Sequence, residues 1–355
     1  MNRALVDRIA DAVLYEGYLL YPYRPSAVKN RQRWTFGGVY PRAYSLAQGG
    51  SDAWTVRTEC LVEGDARTLL TVRLRFLHLL ARQVGELAAP LPDLPADAEP
   101  PYCPVAALQV GDQVIQSWQE AVEREVATDE LELGALLAQP HQQPFSFPSW
   151  RTLEALRAPE PDAPLCGVLV REQQPIDGLL EVRAGPVAAG VFKVGVQITN
   201  LTSLEDAGQK SRNEALLRAF VSTHAVLGVR GGTFVSLLDP PEPLRAAAAD
   251  CRNAGLWPVL VGEAEARDQM LAAPIILYDY PQVAPESPGD LFDGTEIDEL
   301  LTLRIMTMTE EEKHEMSAAD ERARALLERT ESLAREQVLR LHGTIRSLRP
   351  LGEEP

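Results

Sequence analysis

The side chains with the most distinctive chemistry lie in residues 17–51, which contain no Asp or Glu although the whole chain has 51 acidic residues. This segment is rich in arginine and aromatic residues. Such side chains bury much area with fixed geometry, and they are enriched at the centres of protein interfaces. The pattern therefore predicts a partner-binding surface. Its candidate residues are Tyr21, Tyr23, Arg24, Lys29, Arg31, Arg33, Trp34, Phe36, Tyr40 and Arg42.

A second interpretation of residues 17–51 is structural. Many tyrosine rings in one segment can pack into the core beneath it, while the cations are solvated or pair with acids elsewhere in the chain. An RNA-binding interpretation has less support. Arginine and aromatic side chains can stack on bases, but the formal net charge of −17 would repel the phosphate backbone.

Carboxylates cluster around Gly289 and Gly294, where they could hold calcium or magnesium. An EF-hand loop needs acids at its first, third and fifth positions, and the run from Asp290 to Gly294 breaks that spacing. Helix capping and a solvated acidic face are therefore the expected roles, with contact to residues 17–51 or to a partner as the alternative. The cluster consists of Asp279, Glu286, Asp290, Asp293, Glu296, Asp298 and Glu299.

Three other groups of residues lack the spacing of a catalytic or metal site. The glycine-rich run 227–234 contains no phosphate-binding fingerprint and follows a predicted helix, so we expect a tight turn. The histidines form no metal-binding pair. The cysteines form no Cys-x-x-Cys motif, so we expect them to be small buried hydrophobic side chains. These residues are His78, His141, His224, His314, His342, Cys60, Cys103, Cys166 and Cys251. The sequence therefore predicts no catalytic residue, no metal site and no cofactor.

Composition disfavours several classes of partner. The negative net charge opposes non-specific binding to nucleic acid and adhesion to anionic membranes. No run approaches the roughly 18 consecutive apolar residues that a membrane helix needs. Asp7 and Asp11 also interrupt the N-terminus, where a signal peptide would be apolar. We therefore expect a soluble, cytoplasmic protein that does not insert into a membrane.

Hydrophobic periodicity predicts the elements of the first 102 residues. Residues 1–85 should contain a short amphipathic N-terminal helix, the basic aromatic segment and an antiparallel β-hairpin. The hairpin would pair two alternating runs, 54–62 and 70–78, around a glycine-containing turn. Residues 86–102 contain many Pro, Ala and Asp residues and should form a linker.

The remaining residues are predicted to change from strand to helix. Residues 103–210 should be a β-rich, sandwich-like region with a hairpin over 179–201 and a short helix over 131–138. In residues 211–285, a capped helix over 213–227 and a second helix alternate with short apolar strands, which indicates a small α/β segment. The strands are expected at 234–238, 258–261 and 275–278.

Residues 286–355 should be helical, and their long charged helix has a narrow apolar stripe that could join two copies of the chain. The expected fold class is therefore α+β. It combines an antiparallel β-rich N-terminal half, a small α/β segment and a helical C-terminus.

Three runs of the sequence resemble one family. They are VLYEGYLLYPYRPSAVKNRQRWTFGGVYPRAY, HAVLGVRGGTFVSLLDPP and PIILYDYPQVAPESPGDLFDGTEIDELLTLRIMTMTEEEK. The family comprises bacterial proteins encoded beside high-affinity nickel-iron hydrogenases and their accessory factors, and the resemblance spans nearly the whole chain. It implies an auxiliary role in assembling, maturing or supporting such a hydrogenase. It supplies no catalytic residues to transfer.

The sequence thus predicts an accessory protein that acts through protein–protein contacts, with hydrogenase subunits or maturation factors as partners. Metal insertion usually needs Cys or His clusters, which this chain lacks in sequence. The alternative is an enzyme, either a hydrolase or a metal-dependent one, whose site gathers acids near residues 290–299 with a histidine. A third possibility is a scaffold that forms homo-oligomers through the last helix.

Overall fold

A computed structural model describes residues 3–19, 37–95, 98–111, 113–158, 163–282 and 321–332, together with positions 305, 308–310 and 313. Its strands are β1 (Thr55–Glu63), β2 (Leu69–Leu91), β3 (Tyr102–Val105), β4 (Ala107–Val110), β5 (Gln113–Gln116), β6 (Trp118–Ala127), β7 (Leu131–Glu132), β8 (His141–Phe147), β9 (Trp150–Arg157), β10 (Leu165–Gln173), β11 (Ile176–Ala188), β12 (Val191–Asn200), β13 (Val221–Arg230), β14 (Thr233–Val235), β15 (Trp257–Leu260) and β16 (Gln269–Ala273). Its α-helices are α1 (Arg3–Leu19), α2 (Arg42–Ala47), α3 (Leu133–Ala138), α4 (Arg212–Leu216), α5 (Arg245–Ala249) and α6 (Glu321–Ser332).

Two antiparallel sheets enclose the main core. The larger has nine strands, with the order β15-β16-β13-β2-β10-β9 and with β3, β6 and β7 also paired to β2. The smaller has five strands in the order β14-β1-β12-β11-β8. Alternate residues of both sheets contribute to one buried cluster. Because the two inner faces share this cluster, the sheets stabilise each other as the layers of a sandwich do.

The long strand β2 organises the larger sheet. Along one edge, its residues from Leu69 to Leu77 pair with β13, and those from Leu80 onward pair with β10. Along the other edge it pairs with β6. The even-numbered residues from Leu70 to Phe76 point into the core between the sheets, which is the period-2 pattern that the sequence shows there.

The prediction of an α+β fold is wrong, because the chain is strongly β-rich and its helices are small. The predicted α/β segment does not form. Strands β13, β15 and β16 are antiparallel to their neighbours and belong to the larger sheet. The expected helical C-terminus is not found in the described residues, whose only regular element after residue 282 is the twelve-residue α6. Most of residues 286–355 lie outside the described part of the chain.

Three local predictions also need correction. The helix expected over 213–227 stops after α4, and the chain continues as β13. Ser211 and Glu214 do form the predicted capping box. The strands β1 and β2 lie near the predicted positions, but they are not a hairpin, because β1 pairs with β12 and β14 in the other sheet. The predicted linker is partly strand, since β2 extends to Leu91.

Other predicted elements are confirmed. Strands β11 and β12 form an antiparallel hairpin, as expected for residues 179–201. Helix α3 lies within the predicted interval 131–138. Helix α1 confirms the amphipathic N-terminal helix, although it is longer than expected and extends to Leu19.

Helix α1 packs on the outer face of the larger sheet. Its apolar side, including Val6 and Ile9, meets buried residues of β13, β15 and β16. Two ion pairs join the polar side to β2: Arg73 donates to Asp7 at 2.6 Å and Arg75 donates to Asp11 at 2.6 Å. No helix in the described residues is both long enough and apolar enough to cross a membrane.

Candidate contact surface

Both ends of residues 14–36 attach to one point on β13. The hydroxyl of Ser222 donates to the carbonyl oxygen of Val13 at 3.1 Å, and the amide of Thr223 donates to the carbonyl oxygen of Gly37 at 3.1 Å. Ser222 has a φ of 50° where the pairing of β13 with β2 is irregular. This bulge turns two successive residues of β13 toward the anchors. The structure therefore holds α1 and Gly37 at neighbouring residues of β13, and Gly37 belongs to the acid-free segment, residues 17–51.

Gly37 has little space around it. Its φ of 54° lies in the left-handed region, and an added Cβ would be 2.7 Å from Cγ of Pro274 and 3.2 Å from Cα of Ser222. Only glycine adopts such a conformation without cost, and it is also the only residue that fits here. Gly37 therefore ties the acid-free segment to the start of the loop that follows β16.

We expect Gly37→Ala to lower the free energy of unfolding by about 2–3 kcal/mol, because it adds a steric clash to the cost of the left-handed backbone. Gly49 provides a matched control. Its φ is 71°, but no atom lies within 4 Å of the added Cβ. Gly49→Ala should therefore cost only about 1 kcal/mol. Urea denaturation of both variants measures the difference, and equal losses would show that the contact with Pro274 is unimportant.

Asn200 holds the residues that follow Gly37. Its fully buried side chain donates to the carbonyl oxygens of Val39 and Arg218, each at 2.8 Å. The same side chain accepts from the amide of Thr202 at 2.9 Å. Val39 is also bridged to Phe220 through two backbone hydrogen bonds. These contacts join the acid-free segment, the end of β12 and the start of β13.

Tyr40, a candidate binding residue, lies in the core and is 2% exposed. Its hydroxyl accepts from Arg212 at 2.9 Å, and Arg212 also donates to Asp52 at 3.0 Å. Tyr40 stacks on Tyr44 with the ring centroids 5.5 Å apart. Burial raises the pKa of Tyr40 to about 12, although Arg212 opposes the shift. Tyr40 is therefore a neutral structural residue, as the second interpretation of this segment proposes for its aromatics.

Arg42, the other described candidate, is exposed at the start of α2. Its guanidinium lies 4.7 Å from the centroid of the Trp54 ring, close enough for a cation–π contact. Arg42 is thus available at the surface. Eight candidate binding residues lie outside the described residues: Tyr21, Tyr23, Arg24, Lys29, Arg31, Arg33, Trp34 and Phe36.

Among the described residues, the most exposed large apolar side chains lie where the sequence predicts a strand. Ile276 and Tyr278 are 78% and 86% exposed, in the loop after β16. This loop was predicted to be a buried strand over 275–278, and that prediction is wrong. The nearest strand, β16, ends at Ala273, and Pro274 then leads the chain out of the sheet. The prolines at 274 and 281 were the only local signals of a loop.

The end of this loop is held against β15. One carboxylate oxygen of Asp279 accepts from the amide of Leu260 at 2.8 Å, and the other accepts from the hydroxyl of Ser236 at 2.5 Å. The amide of Tyr280 donates to the carbonyl oxygen of Leu260 at 2.7 Å. Ile276 and Tyr278 therefore project from a loop anchored on both sides, by Pro274 against Gly37 and by Asp279 against β15.

Two further exposed apolar residues lie on the elements that meet this loop. Trp257 pairs with Ala273 at the edge of the larger sheet. Leu238 follows Ser236, which donates to Asp279. We call Leu238, Trp257, Ile276 and Tyr278 the apolar contact surface. It lies beside Gly37, where the acid-free segment returns to the sheet.

The other predicted groups have structural surroundings where they are described. Asp279, the only described member of the acidic cluster, binds the edge of β15 as given above. The glycine-rich run forms the turn between β13 and β14, where Thr68 donates to the carbonyl oxygen of Gly231. That turn follows a strand and not the predicted helix. The remaining six acidic residues lie outside the described residues.

The buried histidines are held in neutral form by their surroundings. Burial is the main cause that lowers the pKa of His78 to about 4 and that of His224 to about 3. His224 Nδ1 lies 2.9 Å from the carbonyl oxygen of its neighbour Ser222. Burial also raises the pKa of Cys251 to about 11. The two histidines are fully buried, and their lowered pKa values make them poorly suited to proton transfer at neutral pH.

The cysteines only partly match the prediction of small buried side chains. Cys60 is buried, Cys166 and Cys251 are half-buried, and Cys103 is exposed. Among the described residues, no group of three His, Cys, Asp or Glu side chains is arranged to hold a metal ion.

A cleft of about 840 Å³ lies beside α3. Its lining comes from one continuous stretch, residues 130–142, and combines apolar side chains with the carboxylates of Glu130 and Glu132. Glu130 is neutralised by Arg230 at 2.6 Å. The cleft does not bring together side chains from distant parts of the chain, as a catalytic site usually does.

Comparisons with known proteins find no matching family model, no curated relative and no similar solved structure.

Proposed function

We propose that the protein is an accessory factor of a nickel-iron hydrogenase system and that it binds a protein component of that system. The observation that carries the contact role is the exposure of Ile276 and Tyr278 on an anchored loop. The sequence resemblance supplies the choice of hydrogenase subunits or maturation factors as the partner.

The physical argument for a protein partner concerns the cost of exposing these side chains. Full burial of a large apolar side chain by a partner contributes about 1.5–3 kcal/mol to the free energy of binding. The anchors at Pro274 and Asp279 restrict the loop before binding, so less conformational entropy is lost on association. The exposed Trp257 and Tyr278 are of residue types that are enriched at interface centres.

The acid-free segment extends the same proposal. Gly37, which belongs to this segment, contacts Pro274, and its exposed Arg42 lies over the Trp54 ring. A partner that also reached Arg42 would meet a cation. An acidic or neutral protein surface would suit this arrangement, because like charges at an interface are costly.

Co-purification of the tagged protein with hydrogenase subunits or maturation factors, identified by mass spectrometry, tests the proposal. We expect Ile276→Ser combined with Tyr278→Ser to lower the affinity about 100-fold, since about 3 kcal/mol of apolar burial is lost. Leu137→Ser combined with Val187→Ser is the matched control, because both residues are exposed apolar side chains on other elements. The control should bind like the wild type.

Two outcomes would contradict the proposal. The first is that no hydrogenase subunit or maturation factor is recovered with the wild-type protein under native conditions. The second is that the loop variant and the control retain the same partners. A separate variant, Arg31→Glu with Arg33→Glu, tests whether the acid-free segment contributes, since a partner held by its cations would be lost on charge reversal.

A further inference from the structure

The edges of the two sheets are protected to different degrees. An unpaired edge strand presents free backbone N–H and C=O groups, and these can pair with another chain. Strand β15 is protected by Pro258 and by the bonds from Leu260 to Asp279 and Tyr280. Strand β14 has three residues, and β8 contains Pro144. Each of these features blocks or shortens an added ladder.

Strand β6 is also an edge of the larger sheet, but its charge opposes pairing with a second copy. It contains three carboxylates, Glu120, Glu123 and Glu125, against one guanidinium, Arg124, so pairing two copies of β6 would bring together two strands that are both net negative. Like charges on opposed strands are destabilising.

Strand β9 lacks these protections. It has eight residues, contains neither Pro nor Gly, and carries both signs of charge through Arg151, Glu154 and Arg157. In the described part of the chain its backbone pairs only with β10. Among the described residues, the outer edge of β9 therefore has no ladder partner.

Packing on both faces makes this edge well ordered. Leu156 belongs to a buried cluster with Val84 and Leu169 on one face. Leu153 and Ala155 pack on the other face, against a cluster of β2 and β10 residues. An incoming strand would therefore meet a preformed edge, and little ordering would be needed on association.

The side chains near the ends of β9 bond to their own chain. Arg157 donates to the carbonyl oxygens of Ala163 and Pro92 at 2.5 and 3.0 Å. Arg151 donates to the hydroxyl of Tyr102 at 2.9 Å. Glu154 pairs with Arg171 at 2.8 Å but remains mostly exposed. The middle of the strand, including exposed Thr152, is therefore accessible.

We propose that two copies of the protein associate by pairing β9 with β9 in antiparallel orientation about a two-fold axis. The partner is a second copy because β9 can pair with itself in a register that opposes no like charges. In such a pair, directly opposed side chains lie on the same face, so even-numbered residues oppose even-numbered ones and odd-numbered residues oppose odd-numbered ones.

Charge selects the register among the allowed ones. A register with Glu154 opposite Glu154 of the second copy also places Arg151 opposite Arg157. The glutamates then face each other, and so do the arginines, at both ends of the pair. A shift by one residue per strand places Leu153 opposite Leu153 and Thr152 opposite Glu154. Of the registers without opposed like charges, this one gives the longest overlap, with Trp150 opposite Leu156.

The register makes opposite predictions for two substitutions at one exposed position. Thr152→Glu places a carboxylate opposite Glu154 of the second copy, and this like-charge pair occurs twice per dimer. The substitution should raise the dimer dissociation constant about tenfold. Thr152→Lys forms two new opposite-charge pairs and should lower that constant about threefold. Sedimentation equilibrium of the full chain over a range of concentrations measures both constants, and circular dichroism verifies folding.

Combining Thr152→Glu with Glu154→Lys should restore association, because each opposed pair again has opposite charges. The proposal is overturned if the wild-type protein stays monomeric up to its solubility limit. It is also overturned if Thr152→Glu and Thr152→Lys associate equally, since an interface elsewhere would respond to neither substitution. The partner-binding role is independent of this result, because the apolar contact surface is at β15 and not at β9.

Discussion

Replacing Asn200 with aspartate should destabilise the protein by about 3–5 kcal/mol at neutral pH. The side-chain amide of Asn200 donates to two carbonyl oxygens, those of Val39 and Arg218. A carboxylate has no proton to donate, so three acceptor oxygens would face one another in a site without solvent. A loss of this size is a large fraction of the stability of a typical domain.

The effect should depend on pH in a defined direction. Burial beside two carbonyl oxygens raises the pKa of the introduced carboxyl in the folded state above its unfolded value of about 4. The penalty is therefore smallest below that pH, where the carboxyl is protonated in both states. It grows as the pH rises toward the folded-state pKa and is constant above it.

Urea denaturation of Asn200→Asp and of the wild type, measured at several pH values, provides the difference in free energy. Asn213→Asp is the control, because Asn213 is exposed in the first turn of α4. That substitution should change the stability by less than about 0.5 kcal/mol. If Asn200→Asp were as stable as Asn213→Asp at neutral pH, the proposed role of Asn200 in holding Val39 would be wrong.

The second large effect is expected at Phe220. Its fully buried ring lies 4.8 Å from the centroid of Phe76 and 5.4 Å from that of Phe145, so it connects the two sheets. Removing the ring leaves a cavity that rigid strands cannot fill. We expect Phe220→Ala to lower the free energy of unfolding by about 3–5 kcal/mol.

Phe192→Ala is the comparison for this variant. Phe192 packs against the same core cluster but is only partly buried. Its loss should cost about 2 kcal/mol, because less area leaves water on folding and no closed cavity forms. Thermal and urea unfolding of the two variants and of the wild type measure the two losses of unfolding free energy. Equal losses would mean that the contact between the sheets at Phe220 is not well packed.

The sequence identified strands better than their partners. Alternation over 54–62 and 70–78 correctly predicts β1 and β2, since one face of each run is apolar. The turn between them carries the chain from one sheet to the other. Which strand lies beside β1 depends on β12, more than a hundred residues away, and no local pattern specifies that pairing.

Strand β13 shows why the fold class was predicted wrongly. It is buried on nearly its whole length, because α1 covers one face and the core covers the other. A strand buried on both faces loses the period-2 alternation and resembles a buried helix in sequence. The capping box at Ser211 and Glu214 strengthened the helical interpretation, although it caps only the short helix α4.

The candidate surface was predictable only in part. The acid-free segment can be recognised in the sequence because the positions of acidic residues are read from it directly. Tyr40 within it is structural, and nothing in its local sequence distinguishes it from exposed aromatics. The exposure of Ile276 and Tyr278 was not predicted, because a short apolar run usually indicates a buried element. In the structure this run follows Pro274, which lies beside Gly37, and its side chains face solvent.

The bulge in β13 separates the scaffold from residues 20–36. Ser222 holds the Val13 carbonyl within α1, which ends at Leu19, and the adjacent Thr223 holds the Gly37 carbonyl. The entropy of closing a chain segment rises only slowly with length. We therefore expect that a different sequence can be inserted between Leu19 and Gly37 while both anchors on β13 are kept.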